Sequence, residues 1–211
     1  EAVPGSAPRA IAFDLADPDA VSAAFASLAA EGIAIDILVN NAAHRGITRT
    51  AWMDRPAELF GGVVEVNVFG PYQWWILAAR SMAARGGGAI VNISSLAAQR
   101  AIHDRLAYNT SKAAIDGMTR SMAIDFAEFG VRVNAIAPGY VWSDRWEAID
   151  DEEAVRRRAR IPARAETTQR EIASLVAYLV SDRAPTLTGE VIAIDGGLAA
   201  QQSPKDVLPV Q

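Results

Sequence analysis

The sequence lacks cysteine altogether, and among its 211 residues it contains only two lysines, Lys112 and Lys205. Without cysteine there is no disulfide framework, no cysteine nucleophile and no metal site built on thiolates. No stretch approaches the roughly 18 consecutive apolar residues of a membrane span, and we recognise no secretory signal at the start. We therefore expect a cytoplasmic protein with no membrane partner, in which a lysine at a chemically useful position is significant.

Basic residues are also fewer than acidic residues, so the formal net charge is −5 and the isoelectric point is about 5.1. Nucleic-acid-binding domains usually carry a basic patch and have a high isoelectric point, so we expect no nucleic-acid partner. The two histidines have no acidic residues at ligand spacing, and we predict no metal site. The length suits a single domain, which we place at residues 1–200, followed by a polar tail at 201–211.

Apolar strand patterns alternate with helical patterns along the chain. The predicted strands cover residues 9–13, 35–40, 89–93, 131–137 and 190–194. The predicted helices follow Asp17-Pro18, begin at Pro56, and cover 72–85, 108–129, 147–160 and 172–180, the last opened by a capping box at Thr168-x-x-Glu171. Because apolar strands separated by helices pair in parallel and carry helices on both faces, the sequence predicts an α/β fold.

The most informative spacing is Tyr108-Asn-Thr-Ser-Lys112, because residues four apart lie on one face of a helix. A phenol is a poor proton donor or acceptor at neutral pH, but a nearby ammonium favours its ionised form. The pair would therefore suit proton transfer in carbonyl and alcohol chemistry. The alternative interpretation is a tyrosine at the start of a helix beside a surface lysine.

Small polar residues follow several predicted strands, and the carboxyl ends of parallel strands are where α/β sheets build their sites. Ser95 follows the strand at 89–93, and its hydroxyl could hydrogen-bond a substrate carbonyl; for Ser94 we favour an ordinary turn role. Asn40-Asn41-Ala42 follows another strand and suits contact with a flat cofactor. Asn67 lies inside a helical pattern, where asparagine is unfavourable. It indicates either a kinked helix that releases a carbonyl to a water or a polar packing contact.

Taken in order, these motifs resemble the short-chain dehydrogenase/reductase family over nearly the whole chain. The matching residues are Asp14-Leu15, Asn40-Asn41-Ala42, Asn67, Ile93-Ser94-Ser95, Tyr108-x-x-x-Lys112, Pro138-Gly139-Tyr140-Val141 and Asp195-Gly196-Gly197. The resemblance implies a single Rossmann-type domain with a doubly wound parallel sheet and helices on both faces. It also implies that NAD or NADP is the cofactor and that hydride transfer interconverts a secondary alcohol and a ketone.

The resemblance assigns roles to individual residues. Tyr108 is expected to be the general acid/base, Ser95 to polarise the substrate oxygen, and Lys112 to bind the nicotinamide ribose and to act on Tyr108. Asn67 is expected to hold a water in the proton relay to Lys112. The residues expected to bind the cofactor are Asp14 and Leu15 at the adenine and, around the ribose and nicotinamide, Asn40, Ala42, Tyr108, Lys112, Pro138, Gly139, Val141 and Ser143.

The sequence departs from the family at its front. None of its 15 glycines forms the T-G-x-x-x-G-x-G turn, whose strand–helix–strand unit holds the cofactor pyrophosphate at a helix N-terminus. Without that unit the strand at 9–13 loses its neighbour in the sheet, and apolar faces lie bare. Since the sequence also starts at Glu1 instead of Met, we expect it to begin inside a longer chain. Smaller departures are Ala43 for the family's glycine and Ser143 for its threonine.

Two functions from different classes are compatible with these observations. The first is an NAD(P)-dependent oxidoreductase, and the second is a catalytically silent Rossmann-like scaffold that binds partners and has lost the cofactor. The combination of Ser95, Tyr108, Lys112 and Asn67 favours the enzyme, whereas the missing glycine-rich turn favours the scaffold.

Charge and apolar patterning also bear on substrate and assembly. The segment between Ser95 and Tyr108 is expected to form one wall of the substrate cleft, and with His44 and Arg45 it favours a small polar substrate such as a sugar, polyol or hydroxy acid. The polar residues of that wall are Gln99, Arg100, His103, Asp104 and Arg105; the alternative is that they face solvent. We place the arginines at 156–158 on a solvated helix face. The helices at 72–85 and 108–129 are expected to pair between copies in a homotetramer.

Overall fold

The computed structural model describes residues 8–47, 52–143 and 149–202. Its helices are α1 (Pro18–Ala30), α2 (Ala57–Val64), α3 (Gly70–Ala83), α4 (Leu106–Ala127), α5 (Asp151–Ala159) and α6 (Gln169–Val180). Its strands are β1 (Ile37–Asn40), β2 (Gly88–Ile93), β3 (Val131–Pro138) and β4 (Val191–Ile194). A π-helical turn, Glu65–Phe69, joins α2 to α3, and short 3-10 helices cover Trp52–Asp54 and Leu96–Ala98.

The four strands form one parallel sheet in the order β1-β2-β3-β4. Alternate side chains of its strands point to opposite faces. On one face Ile90 and Val133 pack with Trp75 of α3 and Met122 of α4, all of them buried. A second core lies around Val91, Ile136 and Leu179 of α6. The predicted α/β fold, with a parallel sheet and helices on both faces, is confirmed.

Local signals in the sequence set several of the element boundaries. Asp17 caps α1 by accepting hydrogen bonds from the backbone N–H groups of Asp19 and Ala20. Thr168 and Glu171 form the predicted capping box at the start of α6. Gly130 follows α4 with φ of +72°, and a Cβ there would lie 2.7 Å from the carbonyl oxygen of Gly86. The turn into β3 therefore depends on glycine for both its conformation and its close approach to the β2 turn.

The predicted strand at 9–13 is wrong, because the structure assigns no strand to these residues. They lie against α1 and α3: Arg9 forms an ion pair with Glu31, and the ring centroid of Phe13 lies 5.5 Å from that of Trp74. Among the described residues β1 is hydrogen-bonded only to β2, so no strand lies between β1 and this segment. An apolar stretch cannot form a sheet strand without a neighbour to receive its backbone hydrogen bonds.

Among the described residues, apolar side chains on one face of β1 are exposed. Ile37 and Val39 of β1 are 50% and 42% exposed, and they face away from the core that contains Leu38. The predicted helix at 147–160 begins at Asp151 in the structure; residues 144–148 and 203–211 lie outside the described part of the chain. Within the described ranges, none of the helices has the length and apolarity needed to cross a membrane.

Candidate active site

Helix α4 presents Tyr108, Lys112 and Asp116 on successive turns of one face. Tyr108 is half-buried, whereas Lys112 is only 5% exposed. The Lys112 Nζ lies 5.7 Å from the centroid of the Tyr108 ring and donates a hydrogen bond of 2.7 Å to the carbonyl oxygen of Ile93. The lysine thus connects the catalytic face of α4 to the carboxyl end of β2.

Burial lowers the pKa of Lys112 from its ordinary value to about 8, because an ammonium loses solvation in the protein interior. The negative charge of Asp116 acts in the opposite direction and raises the pKa of Lys112. Burial in turn raises the pKa of Asp116, which a hydrogen bond from Ser94 and the charges of Arg120 and Lys112 lower. Lys112 therefore remains mainly cationic at neutral pH.

The two serines that follow β2 have different surroundings. Ser94 is 3% exposed, and its hydroxyl donates a hydrogen bond of 2.5 Å to Oδ1 of Asp116. The turn role predicted for Ser94 is therefore wrong, because its side chain binds α4 and not its own turn. Ser95 is half-buried, and its Oγ accepts a hydrogen bond of 3.1 Å from the backbone N–H of Ala97. A hydroxyl that accepts one bond keeps its own hydrogen for a second partner.

Ser95, Tyr108 and Lys112 line one cavity of about 670 Å³, which we call the Tyr108 cavity. The residues predicted to bind the ribose and nicotinamide that also line it are Pro138, Gly139, Val141 and Ser143. Gly139 follows β3 where the chain passes Asp195, and a Cβ at Gly139 would lie 2.8 Å from the Cβ of Asp195. Glycine is therefore needed at this edge of the cavity.

The remaining predicted cofactor residues gather in a neighbouring cavity of about 290 Å³, the Leu15 cavity, which is lined by Leu15, Asn40 and Ala42. Asn41 lines both cavities. Asp14 precedes Leu15 and is exposed, with its carboxylate accepting a hydrogen bond of 2.9 Å from the backbone of Ala16. The predicted cofactor residues thus fall into two adjoining groups along one edge of the sheet.

Asn67 occupies the π-helical turn and is 2% exposed. Its amide accepts a hydrogen bond of 2.6 Å from the His44 backbone N–H and donates bonds of 2.9 Å to the His44 carbonyl and to Oγ of Ser111. Ser111 in turn donates to the carbonyl oxygen of Tyr108. The observed contacts connect Asn67 to the loop after β1 and to the first turns of α4.

The charged residues of the Tyr108 cavity differ from those the sequence suggested. Arg45 lines it as expected, but of the residues between Ser95 and Tyr108 only Ile102 is among its described lining residues. Arg157 of α5 lines it as well, with a side chain that is 37% exposed, so this arginine is solvated as predicted and also faces the cavity. Nε of Arg157 donates a 2.8 Å hydrogen bond to Oε1 of Glu153. The spacing of four residues between Arg157 and Glu153 predicts this ion pair but not a position at the cavity. Arg145 and Trp146 lie outside the described residues.

The chain is similar to known proteins over nearly its whole length. A family model described as enoyl-(acyl carrier protein) reductase matches residues 1–199. The 3-oxoacyl-(acyl-carrier-protein) reductase of Vibrio cholerae is 33% identical over 191 residues, which are 90% of this chain and 77% of that protein.

Two solved structures of dehydrogenases are similar over the same extent. Gluconate 5-dehydrogenase from Burkholderia cenocepacia, in complex with NADP and tartrate, is 30% identical with a TM-score of 0.82, covering 90% of this chain and 74% of its own. A mutant of 4-hydroxyisoleucine dehydrogenase, in complex with NADH and succinate, is 30% identical with a TM-score of 0.85, covering 90% of this chain and 79% of its own.

Proposed function

The chain belongs to the short-chain dehydrogenase/reductase family of NAD(P)-dependent oxidoreductases, and from this premise we propose that it interconverts a secondary alcohol and a ketone, with Tyr108 as the acid/base. The observation that carries the proposal is the single cavity that Ser95, Tyr108 and Lys112 line together. A hydroxyl donor, a phenol and an ammonium are the groups needed to hold and protonate a carbonyl oxygen. A silent scaffold would gain nothing from an ammonium buried beside a phenol, because burying a charge costs free energy.

The residues present fit a nicotinamide dinucleotide. The Leu15 and Tyr108 cavities adjoin at Asn41 and together offer an extended, mixed polar and apolar surface. Asp14 and Leu15 would hold the adenine, and Asn40 and Ala42 in the same cavity would contact the adjoining ribose. The Tyr108 cavity would hold the nicotinamide part through Lys112, Pro138, Gly139, Val141 and Ser143. NAD or NADP, when bound, supplies or accepts the hydride.

The protein's own residues manage the substrate oxygen and its proton. In the direction of reduction, the Ser95 hydroxyl donates a hydrogen bond to the carbonyl oxygen, and the Tyr108 phenol transfers its proton to the same atom. The Lys112 ammonium stabilises the phenolate that remains. In the direction of oxidation, the phenolate takes the proton from the alcohol.

Asn67 acts behind these groups, because its amide fixes the His44 backbone and the Ser111 hydroxyl at the start of α4. We assign to it the further role of holding a water that carries protons to Lys112. A π-helical turn suits that role, since it interrupts the regular hydrogen bonding of a helix.

The Tyr108→Phe variant of the complete protein tests the acid/base assignment. We expect kcat to fall at least about 100-fold, because the phenolic proton alone is removed, while the Kd for the cofactor is retained. Tyr178→Phe, on α6, is the matched control and should leave kcat unchanged. Retention of more than a few per cent of kcat in Tyr108→Phe would contradict the assignment.

We also propose that the substrate carries a carboxylate or a similar anionic group. Arg45, Lys112 and Arg157 line the Tyr108 cavity and bring cationic groups to it, and Nε of Arg157 also donates a 2.8 Å hydrogen bond to Glu153. Guanidinium groups suit carboxylates because their planar donors match both oxygens. The solved structures of the gluconate and 4-hydroxyisoleucine dehydrogenases are complexes with tartrate and succinate, which are both small carboxylates. A small hydroxy acid is therefore a better candidate substrate for this cavity than a hydrophobic ketone.

A further inference from the structure

Asp116 is a buried carboxylate that the proposed reaction does not use. It is 5% exposed and lies one helical turn beyond Lys112 on α4. A buried carboxylate is costly unless hydrogen bonds or opposite charges compensate it. Its presence one turn behind the lysine of the site therefore requires an explanation.

The contacts of Asp116 lead to the turn that carries the catalytic serine. Ser94 donates to Oδ1 of Asp116 over 2.5 Å, and the Ser94 backbone N–H donates to the carbonyl oxygen of Ile136 over 2.7 Å. The residue before Ser94 is Ile93, whose carbonyl receives the Lys112 ammonium. The residue after it is Ser95. The hydrogen bond that Asp116 accepts from Ser94 thus helps to fix the segment 93–95. This segment carries both the Ile93 carbonyl that binds Lys112 and the Ser95 hydroxyl.

Of the two charged residues that act on Asp116, Lys112 lines the Tyr108 cavity and Arg120 is not among its described lining residues. Arg120 and Lys112, both on α4, are the charged groups that lower the pKa of the carboxyl, Arg120 more strongly, and the neutral Ser94 hydroxyl after β2 donates to it. Arg120 is exposed, whereas Lys112 is buried at the cavity. The interaction of Asp116 with Lys112 is therefore the one that bears on the site.

We propose that Asp116 is a positioning residue of the active site: through Ser94 it holds the end of β2 against α4, and its negative charge keeps the Lys112 ammonium cationic beside Tyr108. A neutral side chain could supply the bond to Ser94 but not the charge. The charge therefore separates this role from a merely structural one. The consequence for turnover rests on the proposed function, whereas the effect on Lys112 does not.

The charge effect is directly measurable at Lys112. In the complete protein labelled with ¹³C at lysine Cε, Lys112→Arg identifies the Lys112 signal as the one that this substitution removes. NMR titration should give Lys112 a pKa of about 8. In Asp116→Asn, which keeps an oxygen to accept the Ser94 bond, we expect the pKa of Lys112 to fall below that value.

Asp125→Asn is the matched control, because Asp125 lies exposed on the same helix and the substitution changes the net charge equally. It should leave the pKa of Lys112 unchanged. If Asp116→Asn and Asp125→Asn give the same Lys112 titration, the charge role of Asp116 is overturned. Because this readout needs no turnover, it remains decisive even if the protein does not oxidise alcohols.

Ser94→Ala tests the positioning role and stays informative if Asp116→Asn fails to fold. It removes the hydrogen bond but leaves the charge, so we expect the Lys112 pKa to fall less than in Asp116→Asn and kcat to be reduced about tenfold, since small displacements of reacting groups are costly. In Asp116→Asn the loss of kcat should be larger at pH 8 than at pH 6.5. A wild-type kcat in Ser94→Ala, with Tyr108→Phe inactive, would overturn the positioning role and leave the proposed function standing.

Discussion

Arg156 and Arg157 are neighbours on α5 that share one carboxylate, yet their surroundings differ. Nη2 of Arg156 lies 3.1 Å from Oε2 of Glu153, and Nε of Arg157 lies 2.8 Å from Oε1 of the same residue. Arg157 lines the Tyr108 cavity, whereas Arg156 is not among the described lining residues. The pair therefore provides a test at the scale of single residues.

Arg157→Leu should raise the KM for a carboxylate substrate about 10- to 100-fold, because a hydrogen bond to a charged group is worth about 1.5–3 kcal/mol. The effect on KM for the cofactor should be small. Steady-state kinetics on a panel of hydroxy acids, polyols, hydrophobic ketones and a 3-oxoacyl thioester would measure it.

Arg156→Leu is the control, since it removes an equal charge from the same helix and should keep the KM of the wild type. Equal effects of the two substitutions, or a preference of the wild type for hydrophobic ketones, would contradict the anionic substrate.

At this scale the sequence predicted the candidate residues that local spacing brings together and missed the contacts that depend on tertiary structure. Tyr108 and Lys112 are recognisable because a helix places residues four apart on one face. Asp116 continues the same spacing but gains its meaning from Ser94, which is 22 residues away in the chain. Arg157 comes to the cavity from a different helix, and no local pattern reveals that approach.

Helix α6 is the element whose start is most fully specified by local residues. Thr168 accepts a hydrogen bond of 3.2 Å from the Glu171 N–H, and Oε2 of Glu171 accepts one of 2.7 Å from the Thr168 N–H. These bonds satisfy two of the backbone donors that a helix start leaves open. The helix then packs Leu179 into the core against Val91 and Ile136.

We expect Thr168→Ala to reduce the free energy of unfolding by about 1 kcal/mol, the usual effect of losing a side-chain cap. Denaturant titration of the complete protein, monitored by circular dichroism, measures it as a lower midpoint at an unchanged slope. Thr110→Ala, at an exposed position within α4, is the control and should change the midpoint little. A midpoint for Thr168→Ala equal to that of the control would show that the capping box does not stabilise α6.

Strands depend on partners in a way that helices do not, and this explains the one element predicted wrongly. The apolar pattern at 9–13 is as strand-like as that of β1, but a strand exists only where a neighbour receives its hydrogen bonds. Helix starts and ends, by contrast, are satisfied within a few residues, as at Asp17 and Thr168. Sequence patterns therefore predicted helices well and strands only where the sheet continues.

On the scale of the whole molecule, several apolar side chains on and around the outer face of α3 are exposed among the described residues. Phe69 and Tyr72 are 57% and 48% exposed. Cavities of about 550 and 380 Å³ lie along this helix, and Ile76 lines both of them. Phe129, after α4, lines the second cavity and is 48% exposed. We propose that a second copy of the chain covers this face in a homotetramer, because monomers rarely expose such patches.

Ile76→Arg should dissociate the assembly, because it places a charge where the two cavities meet. Multi-angle light scattering at micromolar concentration should show a tetramer for the complete wild-type protein and a smaller species for the variant. Val155→Arg changes another apolar side chain, 62% exposed on α5, and should remain tetrameric. A monomeric wild-type protein would refute the proposal.

Strands β2 and β3 occupy the middle of the described sheet, and β3 is buried at every position except Arg132. Backbone opening should therefore be rare in the two strands that lead to Ser95 and Pro138, and hydrogen exchange of their amides should be slow. The groups proposed to transfer the proton then stand preformed before any ligand arrives. Little of the binding free energy would be spent on ordering them.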